Sequence, residues 1–89
     1  MGKINYTQFF KKNDSENEHE KEVREVIAKV YEALSEKGYN PSYQIVGYIL
    51  SGDPTYITSY NNARTLIGKI ERDELLQEIL ECYINTRLK

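Results

Sequence analysis

Between positions 23 and 34 the apolar residues Val23, Val26, Ile27, Val30, Tyr31 and Leu34 follow one another at steps of three, one, three, one and three. A helix gathers such a set on one face, whereas a strand scatters it over both. The spacing predicts an amphipathic helix over residues 18–37. Acidic residues crowd its first turns, where they complement the positive end of the helix dipole. Asn13-Asp14-Ser15 offers N-cap side chains, and Gly38 stands where a left-handed C-terminal cap is expected.

The rest of the chain reads as further helices. Asn40-Pro41 is a cap residue followed by a proline at the first helical position, and residues 43–50 then carry Ile45, Val46, Tyr48, Ile49 and Leu50. A helix apolar on nearly every side belongs in the middle of an assembly. Gly47 within it costs about 1 kcal/mol relative to alanine, which points to close approach of another backbone. Ser51-Gly52-Asp53-Pro54 ends this helix and restarts the chain, with a single turn expected through Tyr56 and Ile57. Asn61 or Asn62 is expected to cap a helix holding Ala63, Leu66, Ile67 and Ile70, and Leu75, Leu76, Ile79, Leu80, Tyr83 and Ile84 mark a last amphipathic helix. There is no alternating strand pattern and no internal repeat. The expected fold is all-α: a small bundle of four to five helices over residues 14–89, preceded by a flexible N-terminal tail over residues 1–13.

Size and charge narrow the classes. With 89 residues there is room for one domain. A chain this short buries only about 60% of its unfolded surface, and association is a common remedy. A homodimer is therefore expected, with Ile45, Gly47, Tyr48 and Ile49 at its seam. A formal net charge of -2 disfavours nucleic acid and anionic membranes as partners. No apolar run approaches the length of a membrane span, the first residues, Met1-Gly2-Lys3-Ile4-Asn5-Tyr6, lack the apolar stretch of a secretory signal, and the single Cys82 can form no internal disulfide. These features place the expected chain in the cytoplasm, without membrane insertion.

Catalytic equipment is sparse. One histidine, one cysteine, no paired Cys-x-x-Cys and no phosphate-binding glycine loop leave no catalytic residue, metal ligand set or cofactor to assign. His19 is expected to face solvent at the acidic start of the first helix, Cys82 to be a core or boundary residue, and Glu74, Glu78 and Glu81 to form one exposed strip. Arg64 and Arg72 are eight residues apart, about two turns on a continuous helix, where they could clamp an anion or an acidic partner; ion pairs to Glu71, Asp73 or Glu74 are the alternative. Residues 1–13 hold Lys3, Lys11 and Lys12 with no acid, whereas residues 14–25 hold six acids against Lys21 and Arg24. Thr7 is the only serine or threonine in the basic segment, so it is the one hydroxyl there open to a Ser/Thr kinase.

One stretch is distinctive as a whole: Glu36-Lys37-Gly38-Tyr39-Asn40-Pro41, Gln44-Ile45-Val46-Gly47-Tyr48, Ser51-Gly52-Asp53-Pro54, Tyr56-Ile57, Ala63-Arg64 and Glu71-Arg72-Asp73-Glu74. Over about residues 30–84 it resembles the IreB/ReoM-type family of regulatory phosphoproteins of Gram-positive bacteria. The resemblance implies a small helical homodimer, not an enzyme, phosphorylated on an N-terminal threonine by a membrane-anchored PASTA-type Ser/Thr kinase. It further implies a part in cell-wall synthesis and antibiotic tolerance, in one branch through Clp-protease degradation of a peptidoglycan enzyme. Thr7, with Phe9 and Phe10 behind it, matches the family's phosphosite. Two departures stand out: Thr58-Ser59-Tyr60 replaces a Pro-Arg-basic run, and Gly68-Lys69 replaces a basic pair. Arg64 and Arg72 are retained and are the expected partner contacts. The functional expectation is a phosphorylation-switched adaptor; the alternative is a small helix-turn-helix module that binds nucleic acid.

Overall fold

Val23, Val26, Val30, Ala33 and Leu34 form the buried face of the first helix, α1 (Asp14–Glu36), in a computed structural model that describes residues 14–89, with side chains from Glu18 onward. The expected flexible tail over residues 1–13, and Thr7 with it, lies outside the described residues. α1 starts four residues before the apolar pattern suggests. It stops where expected: Gly38 adopts φ +86, its N–H donates to the Ser35 carbonyl at 3.0 Å, and the Tyr39 N–H donates to the Leu34 carbonyl at 2.9 Å. This is a Schellman cap, which satisfies the last carbonyls and favours glycine at the left-handed position.

α2 (Pro41–Ser51) is capped as its sequence implies, with the Asn40 side chain accepting from the Tyr43 N–H at 3.1 Å. A 3-10 turn follows at Pro54–Tyr56, then a second at Tyr60–Asn62, then the short α3 (Ala63–Gly68) and α4 (Arg72–Tyr83), which runs into a π-type turn at Ile84–Leu88. Among the described residues every regular element is helical, as expected. Asn61 and Asn62 do not cap α3 through their side chains. Both sit in the left-handed region, at φ +52 and +66, turning the backbone into the helix. At the head of α4, Glu71 and Glu74 form a capping box, each side chain paired with the other's backbone N–H.

The middle of the fold is α1, not α2. α2, α3 and α4 all pack on α1, and Tyr48, Ile57, Ala63, Ile67, Ile70 and Leu75 close over its stripe. α2 contributes only Tyr48 to the fully buried set, and Tyr43 and Leu50 are among the most exposed apolar side chains of the fold. The reason for Gly47 also differs from the expected backbone approach. A Cβ built there would lie 2.4 Å from the Tyr56 ring of the same chain, so the missing side chain makes room for an intramolecular aromatic lid.

Replacing Leu34, which has no exposed surface, by alanine removes three carbons' worth of packing at the centre and is expected to lower unfolding stability by about 2 to 5 kcal/mol in urea titration. Gly47→Ala is expected to cost about 1 to 3 kcal/mol through overpacking. The cost should shrink when Tyr56→Leu is present in the same chain, a coupling that the double-mutant cycle measures.

Candidate functional site

Residues 51–59 leave α2 and must reach α3 without a helix to satisfy their backbone, so side chains do it. Ser51 Oγ donates to the Gly47 carbonyl at 2.7 Å and accepts from the Asp53 N–H at 3.0 Å. Asp53 Oδ1 accepts from the Thr55 N–H at 3.0 Å and the Thr55 hydroxyl at 2.7 Å. Gln44 Nε2 donates to the Tyr56 carbonyl at 2.9 Å. The two expected partner contacts complete this framework: Arg64 Nε donates to the Ile57 carbonyl at 2.8 Å, and Arg72 Nη1 donates to the Ile49 carbonyl at 2.9 Å.

Arg64 and Arg72 are therefore brought to one loop, but not by one helix. α3 and α4 are separate, and the two guanidinium groups grip the backbone before and after Gly52-Asp53-Pro54. Neither appears in an ion pair with Glu71, Asp73 or Glu74 among the described residues. Gly52 serves this arrangement twice. Its φ of +75 suits glycine, and a Cβ on it would lie 3.0 Å from the Arg72 guanidinium. The Thr55 N–H and hydroxyl hold the Asp53 carboxyl below its ordinary value of 3.8, with the Arg64 charge adding to the effect.

The residues expected at a dimer seam divide. Ile45 and Ile49 line a shallow apolar groove of about 610 Å³ between α1, α2 and α4, together with Ile27, Tyr31, Val46, Leu76 and Ile79. Tyr48 is 7% exposed and belongs to the chain's own core, and Gly47 lies beneath Tyr56. The residues that sequence reasoning left out of this groove, Tyr31, Leu76 and Ile79, carried a signal. α4 has more apolar positions than one core-facing stripe needs, and only Leu75 among them is fully buried.

His19 and Glu81 are exposed, as expected, whereas Glu74 and Glu78 of the expected strip are half-buried. His19 Nε2 lies 3.0 Å from Glu74 Oε2 and its Nδ1 lies 3.7 Å from Glu22, so the ring bridges α1 and α4. Arg24 reaches Glu78 at 3.6 Å, and the Glu78 side chain keeps only 17% of its surface. Cys82 is exposed rather than a core or boundary residue. At the far end of α1, a hydrogen bond with Glu36 and its charge push the Tyr60 hydroxyl above its ordinary value, while Lys37 Nζ lies 5.2 Å from the ring centre.

Arg64→Ala and Arg72→Ala are each expected to lower stability by about 1 kcal/mol in urea titration, since each strips a carbonyl of its charged donor. The acid limb carries a second test. Because the folded carboxyl of Asp53 lies below its unfolded value, its contribution is fully present above the ordinary 3.8 and is lost as pH falls through the lower folded value. Thermal melts of Asp53→Asn should therefore be less stable than the parent near neutrality and fall less steeply below about pH 4.

Comparison with known proteins agrees with the quoted stretch and extends it. The chain is 57% identical over 81 residues to a UPF0297 protein of Ruminiclostridium cellulolyticum, covering 91% of this chain and 89% of the relative. It is 56% identical over 89 residues to a UPF0297 protein of Lachnoclostridium phytofermentans, covering 100% and 98%. A UPF0297 protein of Acetivibrio thermocellus is 65% identical over 69 residues, covering 78% and 77%. The model of the IreB regulatory phosphoprotein family matches residues 5–85, both helix-capping loops and the arginine-pinned loop included, and the chain belongs to that family.

Proposed function

We propose that this chain is a non-catalytic adaptor, switched by phosphorylation of Thr7 and working as a homodimer. The observation that carries the reading is membership of a family of regulatory phosphoproteins over residues 5–85, a span that includes Thr7. Residues 1–13 offer no other serine or threonine. A kinase moves the γ-phosphoryl group of ATP to the Thr7 hydroxyl oxygen, ADP leaves, and the hydroxyl proton is released. The product adds about -1.5 to -2 charges to a segment whose charged side chains are three lysines. The family resemblance supplies the rest of the reading: a membrane-anchored PASTA-type Ser/Thr kinase, a cytoplasmic site of action, and control of cell-wall synthesis and antibiotic tolerance through a Clp-protease adaptor system.

The same reading assigns the apolar groove to a second copy. Ile45, Val46, Leu76 and Ile79 present more unpolar surface than a chain of this size gains by leaving it in water. The arginine-pinned loop is the rigid feature a downstream partner would meet, since its backbone is held by Gln44, Arg64 and Arg72.

Incubation with a PASTA-type kinase and Mg-ATP, read by peptide mass spectrometry, is expected to place phosphate on Thr7 and to find none on Thr7→Ala. Phosphate on Ser15 or Thr55 with Thr7 unmodified would overturn the assignment. Light scattering is expected to report twice the 10.4 kDa chain mass at micromolar concentration, and Val46→Glu, at an exposed groove position, to return it to the monomer.

A further inference from the structure

Near the start of α1, that helix and α4 leave between them a second groove, of about 240 Å³, reaching down to Val23. Its walls carry Glu20 from α1 and Glu74, Glu78 and Glu81 from α4. The fold answers this charge only in part. Arg24 lies 3.6 Å from Glu78, and His19 lies 3.0 Å from Glu74, but Glu81 accepts from the Gln77 amide at 3.2 Å, a neutral donor, and meets no cation in an ion pair among the described residues.

The segment joined to this end of α1 has the complementary chemistry. Lys11 and Lys12 stand next to Phe9 and Phe10, with Lys3 further back and no acid among residues 1–13. Reach agrees with charge. Val23 lies nine residues into α1, about 14 Å along the axis. Phe10 lies four residues before Asp14, a span of about 13 Å when extended. A chain that turns back at Asp14 brings its two lysines over the carboxylates and its phenylalanines toward Val23, and the tether raises the local concentration enough for weak contacts to count.

We propose that the α1–α4 groove is an intramolecular docking site for residues 9–12, and that phosphate on Thr7 releases them. The proposal rests on the reading of Thr7 as phosphoacceptor. Thr7 stands two residues from Phe9, so its phosphate would bring about -1.5 to -2 charges into a segment docked among glutamates, a repulsion that salt screens only beyond about 8 Å. Docked, the segment neutralises the groove; released, it leaves both the acidic groove and the phosphorylated segment open to partners.

Cys82 supplies the probe, being the chain's one cysteine, exposed, and next to Glu81. A nitroxide on Cys82 of the full chain, diluted into unlabelled protein so that only contacts within a chain count, is expected to erase the amide signals of residues 9–12 in the unphosphorylated state. The signals should return in protein made with phosphothreonine at position 7, and in Glu20→Lys/Glu81→Lys, whose melting checks that it is folded. Undiminished signals in the unphosphorylated protein would overturn the docking, as would signals that stay erased in both altered proteins, or erasure seen only from a nitroxide on another chain. Because the phosphothreonine is installed by synthesis, a kinase that ignores Thr7 ends the reading of Thr7 as its substrate and leaves this measurement to decide the docking by itself.

Discussion

Every other element of this fold is placed by the apolar stripe of α1. Val23, Val26, Val30 and Leu34 form a continuous ridge, and α2, α3 and α4 are each too short to persist alone in water. Their helicity depends on covering that ridge. Ile57 shows how far the dependence extends, since it sits outside any helix and is nonetheless fully buried. The loop that carries it is irregular because it must deliver one side chain to α1 while reversing the chain between α2 and α3.

That requirement explains the two arginines. A backbone segment that leaves helical geometry next to a core strands its carbonyls, and a stranded carbonyl is costly unless something donates to it. Arg64 answers Ile57, Arg72 answers Ile49, and Gln44 answers Tyr56. The guanidinium groups thus act first on the protein's own backbone. The departures at Thr58-Ser59-Tyr60 and Gly68-Lys69 fall around this framework and leave its donors intact.

The two grooves divide the surface by chemistry. One, between α1, α2 and α4, is apolar and suits a permanent contact, whose worth grows with area and is indifferent to charge. The other, at the head of α1, is walled by carboxylates and suits a contact that a phosphate can end. In the proposed reading that separation matters, because a switch at one surface would leave an assembly made by the other in place.

The sequence by itself determined the all-helical character, the end of α1 at Gly38, the cap at Asn40-Pro41 and the restart at Gly52-Asp53-Pro54, because each rests on spacing or on one residue's backbone preference and needs no distant partner. It also carried the family, in the run from Glu36 to Glu74. What only the tertiary structure decided was which apolar residues meet which. Periodicity says that Ile45, Tyr48 and Ile49 share a helix, but not that Tyr48 enters the core while Ile45 and Ile49 line a groove. The same holds for Gly47, whose partner Tyr56 lies nine residues on, for His19, whose partner Glu74 lies fifty-five residues on, and for Arg64 and Arg72, which meet carbonyls rather than acids. Such contacts are set by how helices pack, a property of pairs of surfaces, and a single helix's pattern holds no record of the surface it will face.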